Sequence, residues 1–187
     1  MVSQTIPATT APGNGAAIDE TPRFLRRDAF DRLLGALHDD GRRIIGPRIG
    51  DGAIVYDEIA SVADLPAGWR DEQAPGRYRL EQAGDDRLFD YVVGPTAWKR
   101  FTFPPRVPLS RGFRSDGHVT FESVPVEPPR LAFLGVRACE IAALLIQDRV
   151  LTGGPAVDGD YAKRREAALV IAVECVAPAS TCFCTSM

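Results

Sequence analysis

The sequence predicts a mixed α/β protein, with an α+β N-terminal part and a C-terminal β-α-β unit that carries the cysteines. Apolar residues recur at helical spacing over residues 28–40, and short strand-like runs separated by Gly and Pro turns follow them. From residue 131 onward, an apolar run, a helical run and a second apolar run succeed one another. Two strands joined through a helix form a parallel pair with a right-handed crossover.

Composition limits the classes of protein to consider. The 187 residues are 45% hydrophobic and 25% charged, which is typical of a globular protein. A net charge of -3 gives no overall attraction to nucleic acid or anionic lipid. No apolar run is long enough for a membrane span, and the N-terminus lacks the pattern of a secretory signal. We therefore expect a cytoplasmic protein without a membrane span, in a compartment where disulfides are rare.

Three segments follow from the distribution of residue types. Residues 1–22 are rich in Ala, Thr, Pro and Gly and predict a disordered tail, because they cannot bury enough apolar surface to offset ordering. An α+β domain is expected over residues 23–127. The cysteine-rich β-α-β segment is expected over residues 128–187, after a proline-rich boundary.

The first elements can be placed from local signals. A helix is expected near Asp28–Asp40, with Asp28 as its N-cap and Gly41 at its end. Turn residues then separate a series of strands. The expected strands are Arg42–Ile45, Ala53–Ile59, Arg77–Leu80 and Phe89–Val93, followed by a hairpin of Phe113–Arg114 and Val119–Val124.

The segment Trp98–Arg114 combines basic and aromatic residues and contains no acidic residue. Its three prolines predict an extended loop rather than a helix. Such a segment is typical of single-strand nucleic-acid binders, but the acidic overall balance argues against that function. A subunit or cofactor surface and an ordinary solvated loop, with its aromatic residues in the core, both remain open.

The C-terminal unit is expected to contain the strand Leu131–Gly135 and the helix Ala138–Val150. The buried side of that helix is expected to carry Ile141, Leu144, Leu145 and Val150. A helical turn over Tyr161–Glu166 and a buried strand over Ala168–Val173 complete the unit.

All four cysteines lie in this unit, as Cys139, Cys175, Cys182 and Cys184, with the spacing C-x35-C-x6-C-x-C. Cys139 follows the first predicted strand and Cys175 follows the second, so a parallel pair brings both to the carboxyl edge of the sheet. A 4Fe–4S cluster takes four thiolates, which is the number available. The pattern predicts one iron–sulfur site formed by these four residues.

The expected electrostatics favour thiolates at this edge. Free N–H groups and the dipole at a helix start stabilise negative charge at Cys139. Arg137, two residues earlier, can offset the negative charge of a cluster and is a candidate cofactor-binding residue.

Two other interpretations of the cysteines stay open. A single buried cysteine often acts only as a small apolar residue, although a Cys-x-Cys pair is hard to explain by packing. The same four residues could instead hold zinc in a small regulatory protein, although structural zinc sites usually separate paired ligands by two to four residues.

Several motifs resemble the 4Fe–4S dicluster family, which includes the beta subunits of sulfhydrogenases and the A subunit of anaerobic sulfite reductase. The most specific motifs are Phe133–Glu140 and Cys182–Met187, with Asp160-Tyr161 and Cys175 between them. Earlier matches are Ile45–Arg48, Asp51–Ile54, Asp71–Gln73 and Trp98–Arg100. The resemblance covers roughly Asp28 to the end.

The resemblance implies a non-catalytic electron-transfer subunit of a cytoplasmic oxidoreductase. Its partners would be hydrogenase or reductase core subunits and an NAD(P)H-linked flavoprotein, with the flavin only on that partner. Family members usually have Pro-Cys-Asp where this chain has Ala138-Cys139-Glu140. They also continue into a ferredoxin module with further clusters, whereas this chain stops at Met187. We therefore expect one cluster in this chain and a C-terminal segment that is truncated.

Overall fold

The computed structural model of this chain describes residues 24–125 and 127–184. Its helices are α1 (Phe30–Asp39), α2 (Lys99–Thr102), α3 (Ala138–Thr152) and α4 (Gly159–Ala167). Its strands are β1 (Arg43–Gly50), β2 (Ala53–Glu58), β3 (Trp69–Ala74), β4 (Arg77–Gln82), β5 (Ser110–Ser115), β6 (His118–Ser123), β7 (Leu131–Val136) and β8 (Leu169–Ala172). This mixture of helices and strands confirms the predicted α/β class. The tail predicted for residues 1–22 lies outside the described residues.

A four-stranded sheet with the strand order β2-β1-β7-β8 organises the fold. β2 runs antiparallel to β1, whereas β7 runs parallel to both β1 and β8. The helices between β7 and β8 therefore form the crossover that the sequence predicts. Since β1 precedes residue 127 and β7 follows it, one sheet contains strands from both sides of the predicted domain boundary.

Apolar clusters cover both faces of this sheet. The cluster under α1 contains Leu34, Leu37, Ile44, Ile59, Leu65, Ala132 and Leu134. The cluster under α3 contains Ile45, Tyr56, Trp98, Leu131, Phe133, Val136 and Leu144. Successive residues of β7 point to opposite faces of the sheet. Because an apolar cluster covers each face, every residue of β7 is buried. An unbroken apolar run is the expected sequence for such a strand.

A bulge near the end of β7 depends on Gly135. The pairing with β8 shifts register between Leu134 and Val136, and Gly135 has a φ of +92°. Residues other than glycine rarely adopt this backbone conformation. A Cβ at Gly135 would also lie 3.3 Å from Phe89 and from Tyr91. The glycine lets the strand turn just before Arg137.

Two separate hairpins accompany the sheet, β3–β4 and β5–β6. The sequence predicts β4 but misses β3, because the charged run Arg70–Gln73 hides the strand pattern. The predicted hairpin around Asp116-Gly117 is confirmed and is longer than expected. Every residue of β5 and β6 is exposed.

The segment Phe89–Val93 is not a strand, and this prediction is wrong. Side chains bind its backbone in place of a neighbouring strand. Asp71 accepts the Val92 N–H at 2.7 Å, and Gln73 donates to the Val93 carbonyl at 3.0 Å. Two further carbonyls, of Phe89 and Tyr91, bind Arg137. A largely apolar run can therefore be mostly buried without belonging to a sheet.

Three smaller predictions also need correction. Asp28 bonds to Arg26 in a 3-10 turn and does not cap α1. Leu145 and Val150 are 49% and 71% exposed, because α3 meets the sheet on the side of Leu144. β8 is partly exposed rather than buried, since it lies at the edge of the sheet. No helix in the described ranges is long and apolar enough to cross a membrane.

Candidate functional site

The carboxyl edge of the parallel strands carries the cysteines. Cys139 lies in the first turn of α3, shortly after β7. Cys175 follows β8 by three residues. The two strands are parallel neighbours, so both cysteines come to the same edge. The segment with Cys182 and Cys184 returns to this edge from the end of β8.

All four cysteines border one cavity of about 240 Å³. Its other lining residues are Val92, Val93, Arg137, Ala138 and Ala142. Among residues 24–125 and 127–184, no three His, Cys, Asp or Glu side chains lie close enough together to hold a single metal ion.

Arg137 connects the two cysteine-bearing segments. Its side chain is almost completely buried and borders the cavity. Nη1 donates to the Glu174 carbonyl at 2.6 Å, and Nη2 donates to Phe89 and Tyr91 at 2.7 and 2.8 Å. The guanidinium also lies over the Tyr91 ring, 5.0 Å from its centroid. These N–H groups bind carbonyls, and the Glu140 carboxyl is the charged group that lies close to Arg137.

Glu140 holds the start of α3. Its Oε2 accepts the backbone N–H of Arg137 at 2.8 Å. Burial raises the pKa of this carboxyl, against the opposing effects of the Arg137 N–H and of nearby Trp98 and Tyr56. The acid after Cys139 thus stabilises the turn that carries the cysteine.

The expectation of a stabilised thiolate at Cys139 is wrong for the chain by itself. Burial raises the pKa of this thiol, and the negative charges of Glu140 and Cys184 raise it further. The backbone N–H groups at the helix start lower it, but by less. The repulsion by Cys184 also shows that these two cysteines, distant in sequence, are neighbours in space.

The segment with Cys182 is attached to β3 through Gln73. Ser180 Oγ donates to the Gln73 carbonyl at 2.8 Å, and Thr181 Oγ1 donates to Gln73 Oε1 at 3.0 Å. The Ala179 N–H points to Cys182 Sγ at 3.3 Å. Sequence reasoning missed the role of Gln73, because β3 itself was not predicted. The match over Asp71–Gln73 was the available signal.

The basic and aromatic segment Trp98–Arg114 is divided between core and surface. Trp98 is buried and stacks on Tyr56 at 3.9 Å, and Phe101 packs 6.0 Å from Phe133. Lys99–Thr102 form a helical turn, α2, so the prediction of a wholly extended loop is wrong. Phe103 and Phe113 are exposed. So are the basic residues Lys99, Arg100, Arg106, Arg111 and Arg114.

Comparison with known proteins gives no further assignment. No family model matches the chain, and no curated protein or solved structure shows significant similarity to it.

Proposed function

We propose that this chain is an electron-transfer subunit that holds one 4Fe–4S cluster on Cys139, Cys175, Cys182 and Cys184. The observation that carries the proposal is the shared cavity that all four cysteines border. Packing alone does not require four cysteines from three separate positions to meet at one edge of a sheet. A bound cluster would supply one-electron transfer, and the chain would supply its ligands and surroundings.

The residues around the cavity suit this role. Arg137 places a buried positive charge beside four thiolates, which offsets their negative charge. The Ala179 N–H bonds to Cys182 Sγ, and hydrogen bonds to ligand sulfur atoms tune reduction potentials. Val92, Val93 and Ala142 provide the apolar part of the cavity lining.

An electron-transfer subunit also needs a surface for its partners. The hairpin β5–β6 contacts little besides itself, and Val119 and Phe121 are 56% and 74% exposed. An isolated hairpin is marginally stable in water. No basic residue of Trp98–Arg114 is ion-paired with a carboxylate in the described ranges. We propose that this surface docks the acidic face of a partner oxidoreductase subunit.

The resemblance noted above suggests what the partners are. They would be core subunits of a sulfhydrogenase or an anaerobic sulfite reductase, with a flavoprotein that exchanges electrons with NAD(P)H. This chain would then relay electrons between them and carry out neither substrate reaction itself.

Reversible reduction tests the proposal directly. Anaerobically purified chain should be brown, contain acid-labile sulfide, and develop a paramagnetic signal on reduction with dithionite. The signal should disappear on reoxidation and return on a second reduction. The chain alone should show no hydrogenase or sulfite-reductase turnover. A colourless protein with one zinc and no redox signal would instead support the regulatory alternative.

A further inference from the structure

The segment that carries Cys182 has few attachments to the rest of the protein. Within the described part of the chain, every hydrogen bond that joins residues 176–184 to another segment ends on Gln73. The two large apolar side chains of this segment, Val176 and Phe183, are 65% and 66% exposed, so packing adds little. The position of the segment therefore depends on Gln73.

Gln73 binds this segment through both its backbone and its side chain. Its carbonyl accepts a hydrogen bond from Ser180 Oγ at 2.8 Å, and its Oε1 accepts one from Thr181 Oγ1 at 3.0 Å. Thr181 directly precedes Cys182. The Cys182 N–H donates to the Ala179 carbonyl at 3.1 Å and closes the turn. A hydroxyl held by Gln73 thus fixes the residue next to a proposed ligand.

The side-chain amide of Gln73 is itself held in one orientation. Its Nε2 donates to Asp71 Oδ2 at 2.6 Å and to the Val93 carbonyl at 3.0 Å. Both of these partners are acceptors, so the amide nitrogen faces them and the amide oxygen is left for Thr181. Asp71 is only 7% exposed, and its other oxygen binds the Val92 N–H. Since Val92 and Val93 border the cysteine cavity, Gln73 links this wall to the segment with Cys182.

We infer that Gln73 is a positioning residue for the cluster, which acts through the Thr181 hydroxyl to hold Cys182 and Cys184 at the cavity. This role rests on the proposed function, because it concerns two of the four proposed ligands. Side chains that orient metal ligands through hydrogen bonds strongly affect how tightly the metal is held. Ligands that are already in place lose little freedom on binding, whereas those on an unattached segment would first have to be ordered.

Release of iron to the chelator ferrozine tests this role. Thr181→Val keeps the size of an exposed side chain and removes its hydroxyl. The anaerobically purified variant should release iron about three- to tenfold faster than the wild-type chain, the effect expected for one lost hydrogen bond. Thr181→Ser keeps the hydroxyl and should release iron at the wild-type rate. Urea unfolding of the metal-free chain should be the same for all three proteins, because the substituted side chain is exposed.

Gln73→Leu tests whether the same bond is responsible. It removes the acceptor for Thr181 and the donor to Asp71 and Val93, so it should accelerate iron release at least as much as Thr181→Val. Adding Thr181→Val to Gln73→Leu should then cause no further acceleration, because the bond is already lost. Gln82→Leu, at an exposed position of β4, is the matched control and should release iron at the wild-type rate.

Hydrogen exchange in the metal-free chain gives a second measurement that does not depend on iron. The Cys182 N–H should exchange about three- to tenfold faster in Thr181→Val than in the wild-type chain or in Thr181→Ser. Either equal iron release or equal exchange in Thr181→Val and the wild-type chain would overturn the role of Gln73, even if Gln73→Leu fails to fold. A wild-type chain that contains no iron would overturn the proposed function, and the positioning role with it.

Discussion

Arg137 Nη1 donates a 2.6 Å hydrogen bond to the backbone carbonyl of Glu174. Arg137 is two residues before Cys139, and Glu174 is one residue before Cys175. This bond therefore links the segment that carries Cys139 to the segment that carries Cys175. The same guanidinium also binds Phe89 and Tyr91, so one side chain links three segments around the cysteine cavity.

Replacing Arg137 should destabilise the whole fold. Arg137→Met keeps much of the apolar stem but removes the hydrogen bonds to the Glu174, Phe89 and Tyr91 carbonyls, of which the bond to Tyr91 is buried. We expect a loss of about 3 kcal/mol in the free energy of unfolding, measured by urea denaturation. Arg149→Met, at an exposed position on α3, should change the free energy of unfolding by less than about 0.5 kcal/mol. Equal effects of the two substitutions would contradict the bridging role of Arg137.

The thiols of the metal-free chain should differ in reactivity. Burial and neighbouring negative charge raise the pKa of Cys139, so less of it is thiolate at pH 8. Cys175, Cys182 and Cys184 are exposed. Iodoacetamide should therefore modify Cys139 last, as followed by mass spectrometry of peptides. Modification of Cys139 before the exposed cysteines would show that the helix start controls its pKa after all.

The turn before β3 gives a pH-dependent prediction. Asp64 Oδ2 accepts the N–H groups of Ala60 and Ser61, both at 2.9 Å, and these bonds lower the pKa of Asp64. A lowered pKa in the folded state stabilises it above the ordinary Asp pKa of about 4, and this stabilisation is lost as the pH falls through the folded value. Asp64→Ala should cost about 1 kcal/mol at pH 7.

The cost of Asp64→Ala should shrink steadily as the pH is lowered below about 4. Thermal or urea unfolding of both proteins across this range measures it. A cost that stays constant down to the lowest pH would mean that the two N–H bonds do not depend on the charge of the carboxylate.

The exposed basic surface should control the rate of partner association. Arg106 and Arg111 are both exposed. Arg111 lies on β5, and Arg106 precedes the β5–β6 hairpin. If an acidic partner subunit docks there, replacing both with Glu should slow association by about tenfold at low salt. Added salt should also slow the association of the wild-type protein with its partner. Arg149→Glu is the matched control, and association rates unaffected by either charge or salt would return this segment to a solvated loop.

Local patterns predicted most of the C-terminal unit. An apolar run predicts β7 and a helical run predicts α3. Because a helix connects β7 to β8, the two strands are expected to pair in parallel, as they do. The same rule places Cys139 and Cys175 at one edge before any coordinates are known.

Local sequence patterns could not predict the contacts between residues that are far apart in the chain. β3 forms from a charged run because β4 pairs with it, and Phe89–Val93 stays out of the sheet because Asp71, Gln73 and Arg137 bind its backbone. Burial is the main cause of the raised pKa of Cys139, and Cys184, which lies 45 residues further along the printed sequence, adds to it. None of these partners can be found from sequence spacing.

Iron and acid-labile sulfide in the anaerobically purified chain test the central claim most directly. The wild-type chain should contain about four iron and four sulfide. Ser123→Ala, at an exposed position of β6, should retain them. Cys182→Ser and Cys184→Ser should each lose most of the iron, because each removes one ligand of four. Full iron retention in both cysteine variants would contradict the assignment of the cluster to these residues.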